Sequence, residues 1–543
     1  MDTDITVIKD ENKIDLSPIT LALLDQIKSI PRKKLPDETS RISVSQTAAF
    51  FAIAYEKLRN AVEYREAHLM RRAAIERILK RRLTLNPQGD GEAENLIREL
   101  LWARYAPNES LGEHDVEVIQ KIIDKYIYLR SYLLGGQTEK KKAYYSVFLF
   151  DLLTCEIEET LSPEEAQRNA QFTYFIFQVL KGKVKIEGAT QEKHDAYLYI
   201  SVERAFAKND NAFLRYHLYS LSKLQLKDVS RDKLDQLAAA MPALFTDIDK
   251  IISNPHSNRI FLFVRRYIPP FHILFDLIRQ EPSDKIKPLL EDRDKLWTAL
   301  EKICREKYAL TQTKLNGLAI KAIIYIFLTK MIFAIILEYP LSLYFYNEVN
   351  YVTIAINALF PALLMFLIVG LTRVPGADNT RRIFERLVDI IDADKSFETG
   401  VALITKNRKV RRPTLIFAFT VFYSLTFIIT FLLLHSILLL LKFNAISEII
   451  FILFVSLVAF FSYRIRQVAK QYLLREKDSI FRPFTDFFFM PVLSVGKVLS
   501  SGISKINIFG FVFDFFIEAP FKLIVEVVEE WVRFVRERRE EII

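Results

Sequence analysis

The chain has 543 residues and a formal net charge of +9 at neutral pH, and 51% of its residues are hydrophobic. At about 100–200 residues per domain this length predicts several structural units, and the apolar content excludes a mainly disordered chain. Only two cysteines and 14 glycines are present, which excludes a disulfide framework or a four-cysteine zinc site and disfavours glycine-rich phosphate loops.

The positive charge is concentrated in one part of the chain. Residues 311–477 contain 19 Lys and Arg against 10 Asp and Glu, a surplus equal to the net charge of the whole protein. Residues 1–310 contain 48 basic and 46 acidic side chains and are therefore almost neutral. Because a nucleic-acid-binding domain carries its basic patch on a soluble surface, we expect no nucleic-acid partner.

The first 310 residues predict a soluble helical region. Residues 1–45 are interpreted as a mostly irregular tail without a cleavable signal peptide, since they begin acidic and polar and contain Pro31 and Pro36. Residues 46–310 are interpreted as a cytosolic all-α domain, because apolar residues recur at three- and four-residue spacing and strand patterns are nearly absent. Helices are predicted near 48–83, 92–105, 115–134, 164–182, 191–207, 210–224, 230–249 and 284–309.

Short motifs place some of the helix ends. The run Ser162-Pro163-Glu164-Glu165 predicts a helix start with a capping box, in which Ser162 is the N-cap and Glu165 bonds back to it. Dipeptides that contain proline predict loops at Asn254-Pro255 and Pro269-Pro270.

Four apolar runs predict membrane-spanning helices, because about 20 residues are needed to cross the hydrocarbon core. Within a membrane domain at 311–477 they lie near 322–344, 352–372, 414–441 and 446–463. The expected fold is therefore all-α: a cytosolic helical domain, then two membrane hairpins, then a C-terminal interfacial or amphipathic helical tail.

The three clusters of basic residues that flank these runs all fall on one side. They precede the first run, fill the loop 373–413 between the second and third, and follow the fourth, whereas segments 340–351 and 443–445 contain no Lys or Arg. By the positive-inside rule both termini are cytosolic, and we predict a multi-pass protein of the plasma membrane.

The inner loop 373–413 is predicted to contain a short amphipathic helix over 379–392, close to the membrane surface. A basic cluster follows it and either sets the topology or binds anionic lipid headgroups, so membrane lipids are expected partners. Its members are Lys406, Arg408, Lys409, Arg411 and Arg412.

The last 66 residues form a separate region, 478–543. Its first part is rich in Phe but interrupted by Pro, Gly and charges, which favours interfacial or re-entrant helices over a further pair of spans. The end of the chain predicts an amphipathic helix with a mixed-charge polar face, which favours helix packing or homo-oligomerisation. The apolar face consists of Ile524, Val527, Val528, Trp531, Phe534 and Val535.

The sequence contains no recognisable catalytic, cofactor-binding or metal-binding motif, so we expect a non-enzymatic protein without a cofactor. The spans nevertheless contain polar residues, which usually face the protein interior or a water-filled path. Lys330, Asn357 and His435 are candidates for such a path. Glu338, eight residues after Lys330, lies on roughly the same helix face. The alternative is that Lys330 extends toward the cytosol and that Glu338 and His435 lie near the outer surface.

Two functional hypotheses follow. The first is a membrane-anchored interaction or scaffold protein, whose cytosolic helical domain binds a protein partner. The second is a small oligomeric channel or transporter that uses the polar path.

Overall fold

A computed structural model of the chain confirms the predominantly helical fold. The residues that it describes are 12–31, 33, 36–45, 53, 56, 66–187, 190–222, 231–254, 256–347, 350–393, 402–404, 413–474, 489–499, 527, 531, 534, 535 and 538.

The chain divides into two compact units. We call Leu16–Ile268, Phe397–Lys406 and Gly510–Ile543 the helical unit, and Met1–Asp15, Pro269–Ser396 and Asn407–Phe509 the apolar-helix unit. The sequence analysis placed a domain boundary at 310/311, but those residues lie inside one uninterrupted 41-residue helix. This helix runs from a charged segment into an apolar one without a break at the change in composition.

The helical unit contains ten described helices and two three-residue strands, β1 (Val184–Ile186) and β2 (Ala402–Ile404), which pair in parallel. The helices are α1 (Pro18–Lys28), α2 (Ala67–Leu85), α3 (Glu92–Trp102), α4 (Glu113–Leu134), α5 (Glu139–Leu161), α6 (Pro163–Lys181), α7 (Gln191–Ala205), α8 (Asn211–Ser220), α9 (Arg231–Ile252) and α10 (Ser257–Arg265).

Helix α5 is central to the core of this unit, since it packs against α2, α4 and α8. Phe148 of α5 stacks on Phe245 of α9 with ring centroids 3.8 Å apart, and both side chains are fully buried. A helix was predicted near 230–249, which includes Phe245, but none was predicted over Glu139–Leu161. Apolar side chains lie around most of the circumference of α5, because neighbours cover it on several sides, so it lacks the one-sided pattern of a surface helix.

The start of α6 differs in detail from its prediction. Ser162 is the N-cap and Pro163 the first helical residue, as predicted, but the Ser162 side chain makes no capping bond. Glu165 instead forms an ion pair with Arg71 of α2, at 3.0 Å. A tertiary ion pair therefore replaces the local capping box.

Two proline motifs initiate helices where loops or irregular chain were predicted. Ser17 caps α1 by accepting a hydrogen bond from the Thr20 amide, and Pro18 is its first residue. Pro269 and Pro270 lie in the first turn of a helix that begins at Ile268. Proline is tolerated in a first turn because the amides there have no helical partner.

The described part of the apolar-helix unit contains nine helices and a π-turn at Ala334–Glu338. The helices are α11 (Ile268–Gln280), α12 (Ser283–Glu291), α13 (Arg293–Phe333), α14 (Tyr339–Tyr346), α15 (Tyr351–Gly370), α16 (Ala377–Ile391), α17 (Pro413–Leu440), α18 (Ala445–Ala469) and α19 (Phe489–Leu499).

Four of these segments are long and apolar enough to cross a membrane, as predicted. They are Arg293–Tyr346, Tyr351–Gly370, Phe417–Leu440 and Ala445–Ala469. The first of them ends two residues beyond the predicted run 322–344. Large apolar side chains such as Leu328, Phe366 and Leu433 are more than half exposed on their surfaces. A surface of this kind is stable in lipid and not in water.

The short helix predicted over 379–392 is α16, and its apolar side is covered by protein. Ile383, Leu387 and Ile391 are fully buried. The Asn379 side chain donates a 2.9 Å hydrogen bond to the Tyr308 hydroxyl of α13. This apolar side is therefore not open to a membrane surface, contrary to the expectation for the inner loop.

The Phe-rich part of 478–543 is described only at α19, which with 11 residues is too short to span a membrane. Gly496 of α19 lies directly against α18. A Cβ at this position would collide with the Ser456 carbonyl oxygen and lie 2.9 Å from the Cβ of Phe460. The close approach of two helix backbones therefore requires glycine here.

We expect Gly496→Ala to destabilise the protein by about 1–3 kcal/mol, because the added methyl group has to push two helix backbones apart. Gly317→Ala is the matched control: a Cβ at Gly317, inside α13, would touch nothing within 4 Å. That control should gain up to about 1 kcal/mol from helix propensity. Denaturant unfolding of both variants in detergent micelles measures the difference, and equal stabilities would contradict the close contact.

Candidate functional site

The most distinctive polar group of the apolar-helix unit is an ion pair inside the first candidate span. Lys330 lies near the end of α13 and Glu338 ends the π-turn. The Lys330 Nζ is 3.6 Å from the Glu338 Oε2, and both side chains are fully buried. Lys330 therefore does not extend to the surface of the protein.

The π-turn explains why these two residues meet. Eight residues of a regular α-helix at about 100° each would leave Glu338 about 80° away from Lys330 around the helix axis. A π-turn rotates less per residue, so it returns Glu338 to the face of Lys330. Pro340 lies two residues after Glu338, in the first turn of α14. Because proline cannot donate a backbone hydrogen bond and its ring crowds the preceding turn, we attribute the widening of the helix to Pro340.

Asn357 joins this pair to two further helices. Its Nδ2 donates to the Glu338 Oε1 at 2.7 Å and to the Ser447 carbonyl oxygen, at the start of α18, at 3.1 Å. The side chain of Asn357 is fully buried on α15. The first, second and fourth spans are thereby connected through polar contacts. We call Lys330, Glu338 and Asn357 the polar cluster.

The wall of the polar cluster is aromatic on one side. The Lys330 Nζ lies 4.7 Å from the ring centroid of Phe454 on α18. An ammonium group over an aromatic face is attracted by the ring quadrupole, and more strongly where water is excluded. Lys330 therefore has two favourable neighbours, a carboxylate and a ring.

The polar cluster keeps unused hydrogen-bonding capacity. Within the described part of the chain, the Lys330 Nζ, the Glu338 Oε2 and the Asn357 Oδ1 are buried without a hydrogen-bond partner. Leaving such atoms unpaired costs on the order of 1–3 kcal/mol each, and more for charged groups. An arrangement this costly is a candidate functional site by default.

His435 does not belong to the polar cluster. It lies on α17, its side chain is 45% exposed, and its Nδ1 is 2.7 Å from the Glu448 Oε1 of α18. The predicted path therefore separates into a buried cluster with Lys330 and Asn357 and a peripheral His435–Glu448 pair. The spacing in the sequence pointed to Glu338, but nothing in the sequence connected Glu448 with His435.

The other predicted sites are described only in part. The basic cluster Lys406 to Arg412 lies outside the described residues, as do Ile524 and Val528 of the C-terminal face. The remaining members of that face are helical and 45–65% exposed: Val527, Trp531, Phe534 and Val535.

A second polar centre lies in the helical unit, around His217 of α8. Its Nδ1 is 2.7 Å from the Glu203 Oε2, and its Nε2 is 2.8 Å from the Glu159 Oε1. The His217 ring borders a small cavity of about 30 Å³, which His68 also lines. Among the residues that the structure describes, no group of three His, Cys, Asp or Glu side chains is placed to hold a metal ion.

Electrostatics keep His217 protonated. Burial lowers the pKa of His217, but the charge of Glu203 and hydrogen bonds to both carboxylates outweigh this effect and raise the pKa well above its ordinary value. Burial raises the pKa of Glu203, but the charge of His217 and hydrogen bonds lower it overall. Since both ring nitrogens then act as donors, His217 has no lone pair with which to act as a base, and we interpret it as structural.

The stability of the helical unit should therefore depend on pH through His217. Because the folded state holds this proton more tightly, the contribution of His217 is complete below its unfolded pKa of about 6.5 and is lost as pH rises through the raised pKa. We expect His217→Gln to remove that part of the decline. Denaturant unfolding of the full chain over a pH series measures both slopes, and the same slope in both proteins would contradict the assignment.

Comparisons of the chain with protein-family models, with curated proteins and with solved structures gave no match. Its function therefore has to be inferred from its own residues.

Proposed function

We propose that the protein is a multi-pass membrane protein that holds a helical interaction domain at the cytosolic face of the plasma membrane. The observation that carries this proposal is the pairing of β1 with β2, in the register Val184↔Ala402 to Ile186↔Ile404. Both strands belong to the helical unit, but β2 lies in the loop between the second and third candidate spans, whereas β1 precedes all four of them in the sequence. Paired strands cannot lie on opposite sides of a membrane, so this sheet supports a common side for that loop and the helical unit.

The charge distribution supports the cytosol as that side. The same loop contains ten of the basic residues of 311–477, and basic loops remain in the cytosol. An even number of spans then leaves both termini in the cytosol. The helical unit has an extensive core of its own, formed mainly by α2 to α5, α8 and α9. A folded unit of this size exceeds what anchoring requires, which supports a role in binding a protein partner.

Cysteine labelling tests the orientation. The native Cys155 and Cys304 are buried and should not react. We expect an impermeant maleimide to label Asn347→Cys, at the end of α14, on intact cells, and to label Lys409→Cys only after permeabilisation. Labelling of Lys409→Cys on intact cells would overturn the orientation.

Site-specific photocrosslinking tests the interaction. A crosslinker at the exposed positions Val147 or Leu262 of the helical unit should give discrete protein adducts in cells. The same crosslinker at Asn347 is the matched control and should give none of these adducts. Recovery of the uncrosslinked protein alone from all three positions would refute a protein partner.

A second candidate function, an oligomeric channel or transporter, is favoured by the buried polar cluster. Charged side chains inside spans are costly and usually mark ion or substrate pathways. Four spans are few for a monomeric carrier, so this function requires a homo-oligomer, for which the exposed C-terminal apolar face is a candidate contact.

Ion flux into proteoliposomes should exceed background for the wild type and fall to background for Lys330→Leu. Equal background flux for both, or a strict monomer in detergent, would exclude this function.

A further inference from the structure

We propose that the polar cluster is a site for one water molecule and one exchangeable proton, and that Glu338 carries this proton. The inference rests on the second candidate function, a channel or transporter, because it identifies the proton as the species that the apolar-helix unit would carry. Its basis is the geometry of three unpaired atoms inside a candidate membrane domain.

The unpaired atoms match the bonding pattern of water. The Lys330 ammonium offers donors, and the Glu338 Oε2 and the Asn357 Oδ1 are acceptors without a donor among the described residues. A water molecule both donates and accepts, and buried waters typically make about three hydrogen bonds to such groups. At 3.6 Å, the Lys330 Nζ and the Glu338 Oε2 are too far apart for a direct hydrogen bond but close enough for one water to contact both.

The charge of the site excludes a metal cation as the ligand. Lys330 already neutralises Glu338, and an added metal ion would lie beside an ammonium group. Hard cations such as Ca²⁺ also take about six to eight oxygen ligands, whereas this site offers two unpaired side-chain oxygens. An anion is equally disfavoured, because the Glu338 carboxylate is adjacent to the only cation of the polar cluster.

A proton is compatible with the same surroundings. It adds to the Glu338 carboxylate to give a carboxylic acid, the net charge of the pair changes from zero to +1, and the reverse step returns the proton to water. The proposed step leaves the Lys330 ammonium group unchanged, with the ring of Phe454 beside it. No bond other than the O–H bond forms or breaks.

Few other ionisable groups face this site. On α18, Asn357 contacts the carbonyl oxygen of Ser447. The ionisable residue nearest in sequence to Ser447 is Glu448, which pairs with His435 of α17. On α15 the contact is the neutral Asn357, and on α14 the buried Ser342 accepts a hydrogen bond from Asn444. Glu338 is therefore the acceptor within the polar cluster, and Glu448 is a matched carboxylate outside it.

Infrared difference spectroscopy of the full chain in lipid tests the site directly. Acidic minus alkaline spectra of the wild type should contain a protonated-carboxyl band that shifts in D₂O. Glu338→Gln should remove this band, and Glu448→Gln, the control, should keep it. Glu338→Asp, which retains a carboxyl group, should keep a band with a changed midpoint, and this result separates loss of the proton from loss of folding.

Flux measurements separate the proton site from transport. Proton flux that is lost in Glu338→Gln, together with the band, supports both. A band without flux of any ion supports the proton site and overturns transport. If the band is absent, or unchanged in Glu338→Gln, the proton site is overturned, even if Na⁺ or K⁺ flux then supports transport by other chemistry.

Discussion

Replacing Lys330 with Leu is expected to lower the free energy of unfolding of the full chain by about 3–5 kcal/mol. The substitution leaves the fully buried carboxylate of Glu338 without its counter-ion, with Asn357 as its remaining hydrogen-bond donor. An uncompensated buried charge costs more than the pair itself contributes. Denaturant unfolding in mixed micelles, followed by circular dichroism, measures the loss.

The double variant Lys330→Leu/Glu338→Leu should recover most of this stability. Replacing a buried ion pair by apolar residues of similar size is often neutral or stabilising, because the cost of desolvating two charges disappears. The four proteins form a double-mutant cycle that isolates the coupling between the two side chains. The His435–Glu448 pair, in which the His435 side chain is 45% exposed, is the control, and His435→Leu should cost no more than about 1 kcal/mol. A mild effect of Lys330→Leu, or a double variant as unstable as the single one, would contradict the buried ion pair.

Much of the apolar-helix unit was predictable because hydropathy identifies long apolar helices directly. All four predicted runs coincide with helices of sufficient length. The eight-residue spacing of Lys330 and Glu338 along one helical segment indicated that they lie on roughly the same face. The π-turn that completes the contact was not predicted, because hydropathy does not show where a helix widens.

Contacts between helices were beyond the reach of the sequence. Asn357 meets Glu338 because two successive spans pack side by side, and Ser447 joins them from a third helix. His435 was grouped with Lys330 because hydropathy reports depth along a span but not the rotation of the helix about its axis. Rotation depends on packing against neighbours, and the structure directs His435 toward Glu448 instead.

In the helical unit, motifs predicted helix starts better than helix partners. Proline and serine positioned the start of α6, whereas α5 was overlooked because its burial on several sides removes the expected periodicity. A single contact in the core therefore provides the sharpest test of this unit.

Replacing Phe245 with Ala should destabilise the helical unit by about 3–5 kcal/mol, because it leaves a cavity in a core that can relax only partly. The ring of Phe148 loses its stacking partner at 3.8 Å, while the guanidinium of Arg215, 4.8 Å from that ring, remains on it. Helix α9 then loses a fully buried contact with α5.

The control for Phe245→Ala is Leu85→Ala, at the end of α2, where the side chain is 82% exposed. Surface substitutions of this kind stay within about 0.5 kcal/mol of the wild type. Denaturant unfolding of the full chain measures both variants. A small effect of Phe245→Ala would mean that α9 does not pack on α5 as described. In mild denaturant, Phe245→Ala should unfold before the wild type. If the helical unit binds the proposed partner, crosslinking at Val147 should then weaken in Phe245→Ala and persist in Leu85→Ala.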